Sequence, residues 1–221
     1  MTERHGRIVV AAGTNGAGKS VIAGEFLTAR AAGTYFNPDL AAKAIMERDD
    51  VTLAEANARA WNLGFELLNR SIDDKQNFSF ETTLGGNSIT QALLRAAANG
   101  LDVFIFYVGL DSPEKHIARV AARVARGGHP IPAQKIRERY PKSLTNLIKL
   151  LAYASEVRIY DNSEESTDGT PRARLALSMS RRRIVKPRLD ELLITAPEWA
   201  KPVAAAAVRI HEQYSSSKTD G

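Results

Sequence analysis

The sequence predicts an α/β protein with a doubly wound, mostly parallel five-stranded sheet that carries helices on both faces. Strand-like segments alternate with helical ones along the chain, which is typical of parallel βαβ units. The segments at residues 7–12 and 101–108 are almost wholly apolar, as expected of strands that are buried on both faces. A glycine-rich loop joins the first of these segments to a helical pattern. These observations together favour one doubly wound sheet over a β-sandwich.

Length and composition exclude several classes of protein. The chain has 221 residues, of which 44% are apolar, with no cysteine and a formal net charge of +5. These values exclude a disulfide scaffold, a thiolate metal site and a collagen-like repeat. No apolar run approaches the roughly 18 residues that cross a bilayer. We therefore expect a cytoplasmic protein without a membrane partner, whose positive charge points to anionic ligands.

The remaining elements follow from local signals. Three further segments are predicted to be strands, at residues 33–37, 77–83 and 157–160. The stretch from Lys19 to Arg30 carries apolar residues at helical spacing. Thr52 and Glu55 resemble a capping box that opens a long helix. Ser112 is predicted to cap another helix, with Pro113 at its first position.

The glycine-rich loop matches the pattern G-x-x-x-x-G-K-[ST] between a predicted strand and a predicted helix. Its residues are Gly13, Thr14, Asn15, Gly16, Ala17, Gly18, Lys19 and Ser20. Glycines allow the loop to turn so that backbone N–H groups point inward and bind phosphate. Lys19 can reach the β- and γ-phosphates, and the Ser20 hydroxyl is placed to bind Mg²⁺. The loop predicts a P-loop NTPase fold that binds ATP or GTP.

Three sequence patterns that mark other classes of P-loop protein are absent, and their absence limits the type of reaction to be expected. The sequence lacks an LSGGQ-like signature, an apolar strand that ends in a paired Asp-Glu, and the base-reading pattern N/T-K-x-D. The first two patterns are typical of transporter and motor ATPases, and the third is typical of GTPases. Their absence favours a kinase that acts on a small molecule.

Three carboxylates lie at the ends of predicted strands, at Asp39, Glu81 and Asp111. Ligands of doubly wound sheets bind outside the carboxyl ends of the strands, and phosphoryl transfer needs a carboxylate to accept the hydroxyl proton. Asp39 follows Asn37-Pro38, and it is either such a carboxylate or the N-cap of the next helix. Glu81 lies within an aromatic strand and needs a polar partner there. Asp111 is interpreted as a surface turn residue.

Arginines flank a hinge-like break at residues 127–130. Three are spaced at i, i+4 and i+7 before it, on one predicted helix face, and two follow it: Arg119, Arg123, Arg126, Arg137 and Arg139. Guanidinium groups suit phosphoryl oxygens and stabilise charge during transfer. We therefore predict a helical lid at about residues 115–142, with a solvated basic face as the alternative. His129, within the break, is interpreted as a structural turn residue.

A second basic stretch covers residues 172–188 and contains Arg181, Arg182 and Arg183. A solvated surface is the simplest interpretation of this stretch. RNA contact is the alternative, but no aromatic residues are interleaved with the arginines, and we do not expect a nucleic-acid partner. The composition of residues 215–221 predicts disorder.

Seven motifs occur in a specific order along the chain. They are GTNGAGKS at residues 13–20, NPD at 37–39, FETTLGG at 80–86, VGLDSPE at 108–114, RVARGGHPIP at 123–132, IRERY at 136–140 and IYDNS at 159–163. This ordered set resembles the zeta toxin family of P-loop kinases, and in particular its compact stand-alone bacterial members. The resemblance runs from about Ile8 to Asn162.

The resemblance implies a kinase that transfers the γ-phosphate of Mg²⁺-bound ATP to a sugar hydroxyl, which in the toxins belongs to UDP-N-acetylglucosamine. Asp39 matches the base that activates the acceptor hydroxyl. The resemblance assigns acceptor binding to Asp39, Glu81, Thr82 and Thr83. It assigns phosphate contacts to arginines near the GGH segment, among which we favour Arg123 and Arg139 for the transfer step and Arg126 for nucleotide binding.

We therefore predict an ATP-dependent phosphotransferase that acts on a small molecule, with UDP-N-acetylglucosamine or a related nucleotide sugar as the expected acceptor. A nucleotide-dependent RNA-binding ATPase and a regulatory ATP-binding module without turnover are the alternatives. Residues 1–190 are predicted to form the P-loop kinase domain, and residues 191–221 a helical extension with a flexible tail. The protein partner that the resemblance suggests is an antitoxin on a separate chain.

Overall fold

The computed structural model describes residues 6–20, 34–165 and 172–219, which are built around one seven-stranded sheet. The strands are β1 (Arg7–Ala12), β2 (Thr34–Phe36), β3 (Phe78–Thr82), β4 (Asp102–Gly109), β5 (Glu156–Asp161), β6 (Arg174–Ser180) and β7 (Arg183–Lys186). They lie in the order β2-β3-β1-β4-β5-β6-β7. The first five in this order are parallel, and β6 and β7 continue the sheet in antiparallel pairing. The α/β class and the parallel core are confirmed, whereas the predicted number of five strands is too low.

The register of the parallel strands determines which loops meet. β1 lies between β3 and β4, where Ala11 pairs with Glu81 on one side and with Phe106 on the other. On the far side of β3, Phe36 of β2 pairs with Phe80. The carboxyl ends of these four strands therefore lie along one edge of the sheet, which is the edge where α/β proteins bind ligands.

The β6–β7 hairpin occupies the second basic stretch, for which no strand was predicted. Its turn consists of Arg181 and Arg182, which both have positive φ, at 43° and 69°. Asn and Gly are the residues that usually signal such a turn, so this sequence carries no recognisable hairpin pattern. The arginines of the turn are exposed, in agreement with a solvated surface, and Arg182 donates to the carbonyl of Ala152.

Seven helices surround the sheet in the described part of the chain. They are α1 (Pro38–Asp49), α2 (Leu53–Asp73), α3 (Asn87–Ala98), α4 (Pro113–Val124), α5 (Ala133–Leu150), α6 (Leu189–Thr195) and α7 (Lys201–Thr219). The predicted capping box at Thr52 and Glu55 and the predicted cap at Ser112 are both present. Of the helix predicted from Lys19 to Arg30, Lys19 and Ser20 are helical, and the rest lies outside the described residues.

The main core lies on one face of the sheet. Ile8, Val10 and Ala12 of β1 pack there with apolar residues of α2, α3, α5 and α7. Val9 and Ala11 point to the opposite face, in a smaller cluster that includes Ala17 of the glycine-rich loop. The alternation of side chains along β1 thus anchors this strand on both faces.

The segment after residue 190 contributes to the same main core. Trp199 and Val203 are buried among the sheet residues. Helix α7 continues to Thr219, so the prediction that residues 215–219 are disordered is wrong. None of the helices in the described ranges is long and apolar enough to cross a membrane.

Candidate active site

Two neighbouring elements, β4 and α4, pack closely against the backbone of the glycine-rich loop. Gly13 has a φ of 138°, and a Cβ atom there would lie 2.1 Å from the carbonyl oxygen of Val108 in β4. Gly16 has a φ of 85°, and a Cβ atom there would lie 2.6 Å from the carbonyl oxygen of His116 in α4. Both positions therefore require glycine for conformation and for space.

Lys19 lies at the centre of the site. Its Nζ donates to the carbonyl oxygen of Gly13 at 2.9 Å. Burial lowers the pKa of Lys19, and nearby charges act on it in both directions. These charges belong to Glu81 and Asp39, which raise the pKa, and to Arg123 and Arg139, which lower it. The two predicted carboxylates and the two favoured arginines thus act electrostatically on the same ammonium group.

Glu81 is 7% exposed, and three side chains donate to its carboxylate. The Ser20 hydroxyl lies 3.0 Å from Oε1, and Nδ2 of Asn37 lies 3.1 Å from the same oxygen. The Tyr35 hydroxyl also donates to Oε1. Burial and this hydrogen bond raise the pKa of Tyr35. The polar partner expected for a carboxylate in an aromatic strand is therefore a network of three donors.

Asn37 orients the start of α1, and Asp39 projects from its first turn. The Asn37 side chain accepts hydrogen bonds from the backbone N–H groups of Asp39 and Leu40, so Asn37 is the N-cap. The alternative interpretation of Asp39 as the cap is wrong, because Asn37 already holds that position. The Asp39 carboxylate is half exposed, and its Oδ2 lies 3.7 Å from Nη1 of Arg123.

The favoured arginines contact the site, whereas the others bind elsewhere. Nη1 of Arg139 donates to Oδ1 of Asn15 at 2.9 Å, and Nη2 of Arg123 donates to the carbonyl of His129 at 3.1 Å. Arg119 pairs with Glu165, Arg137 pairs with Glu114, and Arg126 donates to the carbonyl of Ala122. Helix α4 ends at Val124, so the expectation that Arg126 shares its face with Arg119 and Arg123 is wrong.

The two helices that make up most of the predicted lid at residues 115–142 are anchored to the rest of the protein. His116 and Val120 of α4 and Ile136 of α5 are buried. The segment between the two helices, residues 125–132, is the exposed part. His129 lies in this turn and accepts from Arg123, in agreement with a structural role. A moving lid at residues 115–142 stays a prediction.

Thr82 and Thr83 shape the loop that follows β3. The Thr82 hydroxyl accepts from the backbone N–H of Leu84 at 3.1 Å, and the Thr83 hydroxyl accepts from that of Gly85 at 3.3 Å. The carbonyl of Thr82 also accepts from the N–H of Gly13, which ties this loop to the glycine-rich loop. Acceptor binding by the two threonines stays a prediction.

The opposite side of the loop involves two residues of the IYDNS motif for which the sequence predicts no role. Nδ2 of Asn162 donates to the carbonyl of Ala17 at 2.8 Å, directly beside Gly18. The preceding residue, Asp161, accepts from Nε1 of Trp199 at 3.0 Å. The segment after residue 190 therefore supports the loop that follows β5. Asp111, at the end of β4, lies at the surface and pairs with Lys115, as the turn interpretation predicts.

Oxygen donors suited to Mg²⁺ lie next to Lys19. The Ser20 hydroxyl and the Glu81 carboxylate are 3.0 Å apart at the start of the helix that follows the loop. Mg²⁺ prefers oxygen ligands and usually binds through one or two protein groups together with substrate phosphates. Ser20 and Glu81 therefore fit this ion by the chemistry of their donor atoms.

The sheet order, the loop and the surrounding charges define a P-loop kinase. The chain belongs to the zeta toxin family, whose model matches residues 2–168. An uncharacterised protein from Haemophilus influenzae is 33% identical over 137 residues, which is 58% of this chain and 88% of that protein. The sequence resemblance to the zeta toxin family is thus confirmed.

Two solved structures illustrate the similarity of the fold. The AvrRxo1-ORF1:AvrRxo1-ORF2 complex with sulphate ions has a TM-score of 0.58 at 14% identity, covering 95% of this chain and 76% of that one. A structure from the PezAT chromosomal toxin-antitoxin system of Streptococcus pneumoniae has a TM-score of 0.56 at 14% identity, covering 100% and 89%. At these identities the similarity establishes the shared fold.

Proposed function

We propose that this protein transfers the γ-phosphate of ATP to a hydroxyl group of a small molecule. The observation that carries the proposal is the position of Lys19 among Glu81, Asp39, Arg123 and Arg139, all within electrostatic range. A kinase needs a phosphate cradle, a carboxylate near the acceptor and cations near the transferred group. We assign these roles to the glycine-rich loop, to Asp39 and to the two arginines, respectively.

In the proposed reaction, the glycine-rich loop and Lys19 hold the β- and γ-phosphates. The acceptor hydroxyl gives its proton to the Asp39 carboxylate while its oxygen forms a bond to the γ-phosphorus. The bond between the γ-phosphorus and the bridging oxygen breaks, and ADP keeps that electron pair. Arg123 and Arg139 stabilise the charge that develops on the phosphoryl oxygens.

Mg²⁺, when bound, would neutralise negative charge on the β- and γ-phosphate oxygens. Ser20 and Glu81 are the residues that we propose to hold it. The three hydrogen bonds to Glu81 keep its carboxylate oriented toward Ser20, so the donor atoms are in place before the nucleotide arrives.

For the acceptor, we propose UDP-N-acetylglucosamine or a related nucleotide sugar, on the basis of membership in the zeta toxin family. Asp39, Glu81, Thr82 and Thr83 would line the acceptor side. The PezAT structure belongs to a toxin-antitoxin system, which supports an antitoxin on a separate chain as a partner. We propose that the enzyme works in the cytoplasm, where ATP and nucleotide sugars are supplied.

A screen with labelled ATP tests the proposal. The purified chain is incubated with Mg²⁺, γ-labelled ATP and a panel of UDP-sugars, free sugars and nucleosides, and labelled products are separated by chromatography. We expect transfer to at least one acceptor. Asp39→Asn should lower it by about 10³-fold, because general-base removal typically costs 10²- to 10⁴-fold. Lys19→Ala should lower it to a similar extent.

Asp111→Asn is the matched control, because Asp111 also ends a strand of the sheet but pairs with Lys115 at the surface. This variant should keep transfer within about twofold of wild type. A protein that transfers no label to any acceptor, or whose transfer survives Asp39→Asn, would contradict the proposed mechanism.

A further inference from the structure

Asn15 connects three elements around the phosphate loop. Its side chain and backbone are largely buried, with 8% of the residue exposed. Its backbone carbonyl lies 2.9 Å from Nδ1 of His116 in α4. Its side-chain Oδ1 accepts from Nη1 of Arg139 in α5 at 2.9 Å. One loop residue therefore contacts both helices that flank the arginine side of the cleft.

The contact with His116 holds the backbone of Asn15. A carbonyl oxygen can only accept, so Nδ1 of His116 must carry the proton. Burial lowers the pKa of His116 to about 4, so the ring is neutral near pH 7 and Nδ1–H is its single donor. The backbone of His116 also lies against Gly16, the next residue of the loop. Asn15 therefore has little freedom to turn away from α5.

The Arg139 side chain and its helix are held by the loop that follows β3. Its Cγ atom would lie 2.7 Å from a Cβ atom at Gly85, so the aliphatic part of Arg139 packs closely against this glycine. One and two turns further along α5, Ser143 donates to the carbonyl of Thr83 and Asn146 donates to the carbonyl of Leu84. Helix α5 is thus bound to the loop after β3, and the tip of Arg139 is bound to Asn15.

We propose that the Asn15 side chain is a positioning residue that holds the Arg139 guanidinium beside the γ-phosphate position. Asn15 acts through Arg139, and this inference rests on the proposed function, in which Arg139 contacts the transferred group. The carbonyl oxygen of an amide can fix a guanidinium without neutralising its charge, so Arg139 stays available to a phosphate. An acidic residue at position 15 would instead compete with the nucleotide for the same cation.

The preference for a triphosphate over a diphosphate measures this role without an acceptor. AMP-PNP and ADP are titrated separately in the presence of Mg²⁺ into wild type, Asn15→Ser, Arg139→Ala and the double variant. Serine is too short to reach Arg139 but keeps the backbone carbonyl that binds His116. Asn162→Ser is the matched control, since Asn162 also contacts the loop but has no contact with Arg139.

We expect Asn15→Ser to reduce the AMP-PNP:ADP affinity ratio by about five- to tenfold, which is the usual scale for the net contribution of one intramolecular hydrogen bond. The same change in the Arg139→Ala background should reduce the ratio no further. Asn162→Ser should weaken both nucleotides alike and leave the ratio unchanged. Thermal melting of each variant shows that the fold is retained.

Two results separate the inference from the function on which it rests. If wild type binds neither nucleotide, the proposed function fails and the inference fails with it. Suppose that wild type prefers AMP-PNP but Asn15→Ser leaves the affinity ratio unchanged, or lowers it by the same factor in wild type and in Arg139→Ala. The positioning role is then refuted, and the proposed function is not. If Asn15→Ser does not fold, Asn15→Thr carries the same test, because its hydroxyl is also too short to reach Arg139.

Discussion

The two sides of the cleft around Lys19 are built in different ways. On the acidic side, which we define as Tyr35, Asn37, Asp39 and Glu81, the central carboxylate is buried and receives three hydrogen bonds. Tyr35 lies on β2, Glu81 lies on β3 and Asn37 directly follows β2, whereas Asp39 lies in the first turn of α1, which Asn37 caps. On the arginine side, Arg123 and Arg139 lie on helices and bind neutral oxygens of Asn15 and His129.

The central carboxylate of the acidic side is therefore positioned by strands of the sheet, whereas the two arginines are positioned by contacts of helices. A buried carboxylate without partners would be costly, so the hydrogen bonds that Glu81 receives contribute to the stability of the fold. The arginines are partly exposed and their hydrogen bonds go to neutral acceptors, so their charge can bind phosphate, although Arg123 also lies 3.7 Å from Asp39. We therefore expect changes on the acidic side to affect stability and metal use, and changes on the arginine side to affect nucleotide handling.

The largest expected effect concerns the support of the arginine side at low pH. Burial lowers the pKa of His116 to about 4, with a smaller contribution from the charges of Lys19 and Arg119. The unfolded chain protonates this ring near pH 6.5, whereas the folded chain does not. The stabilising contribution is therefore complete above pH 6.5 and is lost as the pH falls toward 4. We expect a loss of roughly 3 kcal/mol over this window.

Denaturant unfolding of wild type and His116→Gln between pH 4.5 and 7.5 measures this contribution. Other groups titrate in the same range, so the difference between the two pH profiles is the relevant quantity. Wild type should lose its advantage over the variant as the pH falls. Parallel profiles would contradict the lowered pKa of His116, whereas the donor role of its Nδ1–H would stand, because a protonated ring also carries a proton on Nδ1.

The next largest effect is expected on the acidic side, from Glu81→Gln. The substituted amide presents a donor to a site that already contains the donors of Ser20, Tyr35 and Asn37. We expect kcat to fall by about 10²-fold, with a higher Mg²⁺ concentration needed for half-maximal rate, because metal-site partners typically contribute 10- to 100-fold. Initial rates measured over a Mg²⁺ series test this.

Glu114→Gln is the control for this prediction, because Glu114 on α4 forms an exposed ion pair with Arg137 on α5. Its rates and Mg²⁺ dependence should match those of wild type. If the Glu81→Gln enzyme keeps a normal Mg²⁺ dependence, Glu81 does not bind the metal, and acceptor binding is its only proposed role.

The contrast between the two sides also explains how much of the site could be predicted from sequence. The loop from Gly13 to Ser20 and the strand-end position of Glu81 depend on short local patterns, so they could be recognised directly. The roles of Tyr35 and Asn37 depend on the register that places β2 beside β3. The sequence gives only a weak indication of these roles, namely that polar residues lie near the end of one strand and a carboxylate lies near the end of another.

Long-range pairs account for most of the remaining gaps. The bond from Asn15 to Arg139 joins residues 124 positions apart, and that from Asp161 to Trp199 joins residues 38 apart. Nothing local marks these partners in advance. The β6–β7 hairpin was missed for a different reason, since arginines occupy the turn positions where glycine or asparagine is expected.

A smaller effect should separate the arginines from one another. Arg123 lies near Asp39 and its Nε has no hydrogen-bond partner among the described residues, whereas Arg126 is exposed and binds its own helix end. We expect Arg123→Ala to lower kcat by about 10- to 30-fold and Arg126→Ala by less than twofold. Steady-state kinetics with ATP as the varied substrate compares them. Equal losses would mean that residues 125–132 rearrange on nucleotide binding, as the predicted lid requires.

The smallest effect is expected from Tyr35→Phe, which removes one of the three donors to Glu81 and leaves the aromatic ring in place. Ser20 and Asn37 still satisfy the carboxylate, so kcat should fall by only about two- to fivefold. Tyr153→Phe, at an exposed tyrosine after α5, is the control and should have no effect. A loss as large as that of Glu81→Gln would show that the Tyr35 hydroxyl, which is on a side chain 40% exposed to the cleft and solvent, binds the acceptor itself. The acidic side would then depend on an exposed contact, as the arginine side does. The two sides would no longer differ in the way that we describe.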